Sequence, residues 1–297
     1  MKKLLKIIGV VLVLVIIAAV VFIARYKPKK YTDFGVFTSL RGQIIQHLDD
    51  CHATQRPITR EFSDFTLSLA FPFSKVFGNS VVGIPLQSYE SDKIAVATIS
   101  QFEVPPKSGY YRDVTLNIRP RYELKAPVLH MDFMKPSPGV PGLCSIDFFT
   151  VDKENISLET FFGKELGKIQ EALSLVETYQ RTVEEGRGKI TRYLDSYKSP
   201  YRIELKEPAT DDENVRRQYY QTVEKAMGLV LPAYFAALGN AEPDPGFAER
   251  HREKMQGMVQ ALWDNDVAVS LGRKIFKEHF KKYWLDGFWN VQIALQD

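Results

Sequence analysis

Along this chain the spacing of apolar positions changes three times, and each change predicts a different structure. Residues 7–24 are uncharged and almost wholly aliphatic. With Leu4 and Leu5 the run is long enough to cross a hydrocarbon core of about 30 Å as a helix, and no small-x-small cleavage site precedes Arg25. Residues 1–24 are therefore predicted to be an uncleaved membrane anchor, spanning through residues 4–24, with residues 25–33 a short basic linker. Helical spacing follows at 37–48, where Leu40, Ile44, Ile45 and Leu48 share one side. Alternating or β-branched runs at 65–71, 80–87, 93–102, 113–118, 128–134 and 144–151 then predict strands. Their short connections imply antiparallel pairing.

Beyond residue 158 the period lengthens again. Leu166, Ile169, Leu173 and Val176 form a helical stripe within 158–197, and 201–205 reads as one more strand. Asp211, Asp212 and Glu213 open a helix running to about residue 238, with carboxylates in the first turn as the macrodipole prefers. A turn at 243–245 precedes two further helices, 248–263 and 267–284. The predicted class is α/β: residues 34–297 as one three-layer α/β/α sandwich around a central, mainly antiparallel sheet, plus one N-terminal transmembrane helix.

Composition adds limits. The 297 residues are 45% hydrophobic and 25% charged, ample for one large core, and the net charge of +3 demands no nucleic-acid partner. Two cysteines, Cys51 and Cys144, lie far apart and fit no metal or redox motif. Lys2, Lys3 and Lys6 before the apolar run are outnumbered by Arg25, Lys27, Lys29 and Lys30 after it, which leans toward a cytoplasmic C-terminal domain. Nucleotide-binding glycine loops, a serine elbow and a zinc-protease helix are all missing from the sequence.

The densest candidate chemistry lies at 118–134. There a two-proline elbow, Pro120 to Pro127, leads into a strand on which His130 and Asp132 share a face with Val128 and Met134. An imidazole and a carboxyl against an apolar wall form a proton-transfer site. The same residues also suit a half-buried strand whose polar groups are satisfied by neighbours.

The spacing of Pro120, Pro127 and Asp132 resembles the surroundings of the active-site aspartate in ferredoxin-dependent bilin reductases, of which red chlorophyll catabolite reductase is a relative. Asn265 and Asp266, followed by Phe276, Phe280, Tyr283 and Phe288, resemble that family's C-terminal helix and closing aromatic segment. The resemblance implies an α/β/α domain that reduces a biliverdin-like open-chain tetrapyrrole by successive electron and proton transfers. It implies no bound cofactor, with reduced ferredoxin as external electron donor. Asp132 takes the place of the proton donor on the sheet and Asp266 that of a second aspartate on the helical side, with Asn265 beside it; Asp266 also suits a helix N-cap. Thr115 stands where these enzymes often carry a histidine, which His130 could replace, and Val267 stands where a basic residue is common. Arg119, Arg121 and Lys125 flank the elbow as partners for propionates, and Lys274, Lys277 and Lys281, with Arg273 and Lys282, present a basic rim to an acidic ferredoxin. The alternatives are a non-catalytic, membrane-anchored tetrapyrrole carrier and a tethered interaction domain with no ligand.

Overall fold

The computed structural model describes residues 35–58, 66–67, 82–104, 111–135, 141–181 and 195–291. The expected anchor, the linker and most of the strand expected at 65–71 lie outside these residues. Among the described residues no helix is long and apolar enough to cross a membrane.

Helix α1 (Val36–Asp50) comes first, followed by β1 (Thr54–Gln55), β2 (Thr66–Leu67), β3 (Val82–Gly83), β4 (Leu86–Glu90), β5 (Ile94–Val104), β6 (Tyr111–Pro120), β7 (Val128–Lys135) and β8 (Leu143–Phe149). Helices α2 (Leu158–Phe162) and α3 (Leu166–Val176), strand β9 (Ile203–Lys206), α4 (Glu213–Asn240), α5 (Ala248–Asn265), α6 (Val267–Phe276), α7 (Glu278–Lys282) and a π-helix (Tyr283–Trp289) complete the chain. The main sheet runs in the order β1-β4-β5-β6-β7-β8-β9, with every pairing antiparallel; β3 joins β5 and carries β2.

Alternation decides which face each side chain takes. Ala97, Ile99, Leu116, Ile118, Leu129, Met131, Ile146 and Phe148 fill one face, packed with residues of α1, α2, α3 and α4. The opposite face lies under α5, α6, α7 and the π-helix, whose Met255, Met258, Trp263, Phe280 and Trp289 cluster with Leu86, Val128 and Phe149. Helices thus cover both faces of the sheet, as the alternation and later helical periods predict.

The elbow is pinned from two sides. Tyr234 of α4 donates a hydrogen bond to the Pro127 carbonyl at 2.9 Å. The Asp244 amide donates to the Glu123 carbonyl at 2.7 Å, and Lys125 pairs with Asp244 at 2.8 Å. This tether sets where β7 begins, and hence where His130 and Asp132 fall.

Three expected elements are divided. The run at 80–87 splits into β3 and β4 around Pro85, which has no amide hydrogen for a ladder bond. The helix expected from 158 breaks at Gly163, whose φ of 49° favours glycine. The helix expected over 267–284 ends at Phe276, and Lys277 takes a φ of 53°. The cause is tertiary: the Phe280 ring folds back onto Gly272, where a Cβ would lie 2.3 Å from a ring carbon. A straight helix cannot bring those two residues into contact at that distance.

Candidate active site

The face toward the C-terminal helices is polar at its centre. Strand β6 contributes Asp113, Thr115, Asn117 and Arg119, and β7 contributes His130 and Asp132. Register places Thr115 opposite Asp132 and Asn117 opposite His130; on the flanking strands Ser100 and Thr98 face Thr115 and Asn117, while Ser145 and Asp147 face Asp132 and His130. Asp113, Thr115, His130 and Asp132 remain partly exposed, whereas Thr98, Asn117, Arg119 and Asp147 are buried. Among the described residues, Thr98 Oγ1, both polar atoms of the Asn117 amide, Arg119 Nη1, His130 Nδ1 and Asp132 Oδ1 have no hydrogen-bond partner in the protein. Buried polar atoms left unpaired carry a cost, so a row of them on one face marks ground suited to a polar ligand.

The carboxyls gather at one end of this row. Burial, with the Asp132 carboxyl nearby, pushes the Asp113 carboxyl well above its ordinary value. Thr115 Oγ1 also donates to Asp113 Oδ1 at 3.4 Å. Asp266, at the junction of α5 and α6, lies close enough to act electrostatically on both Asp113 and His130. Its Oδ1 accepts from the Val269 amide at 3.0 Å, so it caps α6 while also facing the sheet. His130 stacks on Phe149 with ring centroids 5.3 Å apart, and burial lowers its imidazole from the usual value. At neutral pH it is therefore a neutral ring.

An aromatic layer roofs this floor. Phe280 stacks with Trp263, Phe276, Tyr283 and Trp284, and Trp284 stacks with Phe288 at 5.3 Å. Tyr283 anchors the layer to the sheet through a 2.7 Å hydrogen bond between its hydroxyl and Ser100 Oγ. The closing aromatic residues read from the sequence belong to this roof.

Further along β6, Arg119 donates from Nε to the Trp289 carbonyl at 3.1 Å and from Nη2 to the Asn290 carbonyl at 3.0 Å. With Arg121, Arg252 and Tyr122 it lines a cavity of about 530 Å³. The Arg119 and Arg252 guanidinium carbons lie 4.6 and 5.5 Å from the centroid of the Tyr122 ring. Arg121 donates to the Ser91 carbonyl at 2.9 Å.

Of the residues expected from the sequence, Asp132, His130, Thr115 and Asp266 come together. Asn265 does not join them: it is exposed, and its amide donates back to the Ala261 carbonyl at 2.9 Å, as a helix-end residue does. Lys274 and Lys277 are exposed and Lys281 is partly so. Arg273 leaves the rim, with its guanidinium carbon 4.6 Å from the Trp263 ring centroid. Sequence reasoning missed Asp113 and Arg252. Alternation along β6 would have put Asp113 on the face of Thr115, but its contact with Asp132 is diagonal across two strands and needs the register.

No family model and no curated protein matches the chain. Tomato phytochromobilin synthase, solved in complex with biliverdin, matches with a TM-score of 0.61 and 12% identity, over 86% of this chain and 85% of that one. The chain shares the fold of that protein. PcyX is matched as well, at 13% identity and a TM-score of 0.42, over 87% of this chain and 99% of that one. Within this shared fold the present chain sets two aspartates on β6 and β7 near an aspartate at a helix junction.

One buried carboxyl beside the site makes stability depend on pH. Asp147 accepts from the Phe148 amide at 2.7 Å and the Ser199 amide at 3.0 Å, yet burial outweighs these bonds and raises its carboxyl to about 6. A raised folded-state value means that the fold prefers the protonated form. The stability it contributes is therefore complete below the unfolded value near 4 and is lost as pH rises through about 6. Urea unfolding of the wild type should weaken by about 2–3 kcal/mol from this group between pH 4 and 7. Asp147→Asn, which keeps an acceptor for both amides, should remove that part of the slope and be the more stable protein at pH 7.5. An unchanged slope in the variant would exclude this assignment.

Proposed function

We propose that this chain binds an open-chain tetrapyrrole of the biliverdin type between the polar face of its sheet and the C-terminal aromatic layer, and reduces it with electrons from reduced ferredoxin. The observation that carries this reading is the row of unpaired polar atoms, from Thr98 through Asn117 and His130 to Asp132, with the Asp113 carboxyl beside it. A bilin is a long, flat, conjugated molecule with N–H and C=O groups along its edges, so it can both pair with such a floor and pack against aromatic rings. The fold shared with a protein solved with biliverdin supports the same reading.

In this chemistry the substrate itself carries the unpaired electron, and the protein supplies protons at chosen carbons. Asp132 would protonate the reduced bilin from the sheet side, and Asp266 would deliver a second proton from the helical side. Neutral His130 would hold a pyrrole or lactam group by hydrogen bonding, beside Thr115. Arg119, Arg121 and Arg252 offer charge-assisted bonds to the propionates. Lys274, Lys277 and Lys281 would meet an acidic ferredoxin through weak, salt-sensitive docking. Residues 4–24 would hold the domain at the cytoplasmic face of a membrane.

Carriage of a tetrapyrrole without turnover is the second reading, favoured by Thr115, a hydroxyl that is no strong acid, and by a His130 imidazole held below its usual value. One experiment addresses both. The full chain in mild detergent should shift the visible spectrum of biliverdin on mixing and, under anaerobic conditions with reduced ferredoxin, should consume it. Spectra that stay flat across a panel of open-chain tetrapyrroles would remove both readings. A shift without consumption would favour the carrier.

A further inference from the structure

We infer that the cavity at the elbow is an oxyanion-binding site, and that a carboxylate or phosphate seated in it fastens the aromatic roof to β6 through Arg119. This rests on the cavity's own residues and not on the reductase reading. The cavity holds about 530 Å³, with Arg119, Arg121, Tyr122, Arg252 and Asn290 in its wall. That volume falls in the range of about 300–1,000 Å³ usual for small-molecule sites.

Arg119 decides the chemistry. It is 2% exposed, and the Trp289 and Asn290 carbonyls take one edge of its planar guanidinium, at 3.1 Å from Nε and 3.0 Å from Nη2. Nη1, on the other edge, is buried with no hydrogen-bond partner in the protein. A buried cationic donor left unpaired is costly, and an oxyanion is the acceptor that recovers most of that cost, because bonds to charged groups are the strong ones. Arg121, beside it in the wall, donates from Nε to the Ser91 carbonyl at 2.9 Å and makes no further hydrogen bond among the described residues.

Charge around the cavity is unbalanced in the same sense. Glu90 and Glu123 also line it, but Glu90 lies 3.7 Å from Arg56, while Arg252 lies 3.3 Å from Glu249. Four guanidiniums thus meet three carboxylates, and one positive charge is left for a guest. Burial first, and then the like charges of Arg56 and Arg121, hold the Arg119 guanidinium below its usual value, a strain that an anion among them relieves. The backbone makes room: the register of β5 on β6 skips Ala95, the extra residue of a bulge facing Arg119 and Pro120, and Ala95 lines the cavity.

The roof supplies the opposite wall. Asn290, with a left-handed φ of 49°, ends the π-helix at the cavity and gives its carbonyl to Arg119. A guanidinium held on one edge by an oxyanion and on the other by Trp289 and Asn290 opposes any opening of the roof at that end. By linkage the anion must then bind the closed roof more tightly than an open one. A free anion and a carboxylate arm of a tetrapyrrole reaching past the floor offer the same chemistry, and competition separates them.

Inorganic phosphate titrated into the full chain in mild detergent, replacing chloride at constant ionic strength, should bind with saturation and raise the unfolding midpoint. It should also slow amide hydrogen exchange at residues 283–291. Arg121→Gln combined with Arg252→Gln, at two side chains in contact with water, should weaken phosphate by about tenfold or more and leave the bonds from Arg119 to the roof in place. Should the double variant not fold, each single change must weaken it in the same direction. Lys206→Gln, on the edge strand β9, should bind phosphate as the wild type does.

A midpoint that phosphate moves no more than chloride, or binding that survives the double variant, would overturn the site. Saturable binding with unchanged exchange at 283–291 would overturn the fastening of the roof. Phosphate that competes with biliverdin but not with its dimethyl ester supports the site with the tetrapyrrole's own carboxylate as occupant, and phosphate that competes with neither supports it with a free anion. Competition with both would put phosphate on the polar floor and overturn the cavity. A chain that binds phosphate as expected yet never shifts a bilin spectrum would sink the proposed function and leave the oxyanion site standing.

Discussion

Replacing Asp132 with asparagine is expected to leave biliverdin binding within a few-fold of wild type while cutting turnover with reduced ferredoxin by about 10²-fold or more. Asparagine keeps the size of the side chain and one acceptor oxygen, so the floor of the site and its packing are preserved. What it removes is the acid. Electron transfer to the bilin does not depend on that proton, so a bilin radical should accumulate and be seen by electron paramagnetic resonance. The contrast with Asp266→Asn is informative, because that residue caps α6 through the Val269 amide. If Asp266 only caps, its replacement should cost about 1 kcal/mol or less and leave the product unchanged. If it protonates, the product or the rate of the later step changes. An Asp132→Asn protein that turns over at the wild-type rate would remove Asp132 from the mechanism.

The second large effect falls on stability. Arg119 is 2% exposed and ties β6 to the end of the π-helix by donating to the carbonyls of Trp289 and Asn290. Arg119→Met should lower unfolding free energy by about 2–4 kcal/mol, because two carbonyls at the inner end of the aromatic roof lose their donor. Arg119→Lys should recover part of this at most, since an ammonium cannot match the fork that reaches both oxygens. Arg121→Ala removes one bond, to the Ser91 carbonyl, from a partly exposed side chain, and should cost far less. The midpoint of urea unfolding for the three variants gives the comparison. Equal values for Arg119→Met and wild type would show that the roof is held by its ring stacking alone.

These expectations separate the two jobs of the polar face. In the proposed function Asp132 and Asp266 would serve the proton chemistry, whereas Arg119 holds the architecture around it. Arg119 was expected at the elbow as a partner for propionates. The structure gives it a prior commitment to the protein's own backbone, with Nη1 alone unpaired. Arg121 and Arg252 thus carry more of any ligand role in that cavity than the sequence suggests.

Much of this arrangement was legible before any coordinates, because strand alternation is a local property. Val114, Leu116 and Ile118 against Asp113, Thr115 and Asn117 set two unlike faces on β6, and Leu129, Met131 and Phe133 against His130 and Asp132 do the same on β7. The two prolines marked the elbow between them, and the later 3.6-residue period marked the helices that cover the sheet. These patterns are written within ten residues or fewer, so they survive without knowledge of the partner strand.

Tertiary structure alone decided which polar groups meet. The diagonal contact of Asp113 with Asp132 follows from the β6–β7 register, which Tyr234 and Asp244 help set by tethering the elbow from distant parts of the chain. The approach of Asp266 to His130 and Asp113 requires α5 and α6 to pack over the sheet, and the break at Lys277 accompanies the closing of Phe280 onto Gly272. Exposed Asn265, adjacent to Asp266, shows how little sequence neighbourhood says about such meetings: at a helix end one residue's rotation turns a side chain from the site to the solvent. Periodicity assigns a side chain to a face because backbone geometry repeats locally, but its neighbours across that face are chosen by non-local packing.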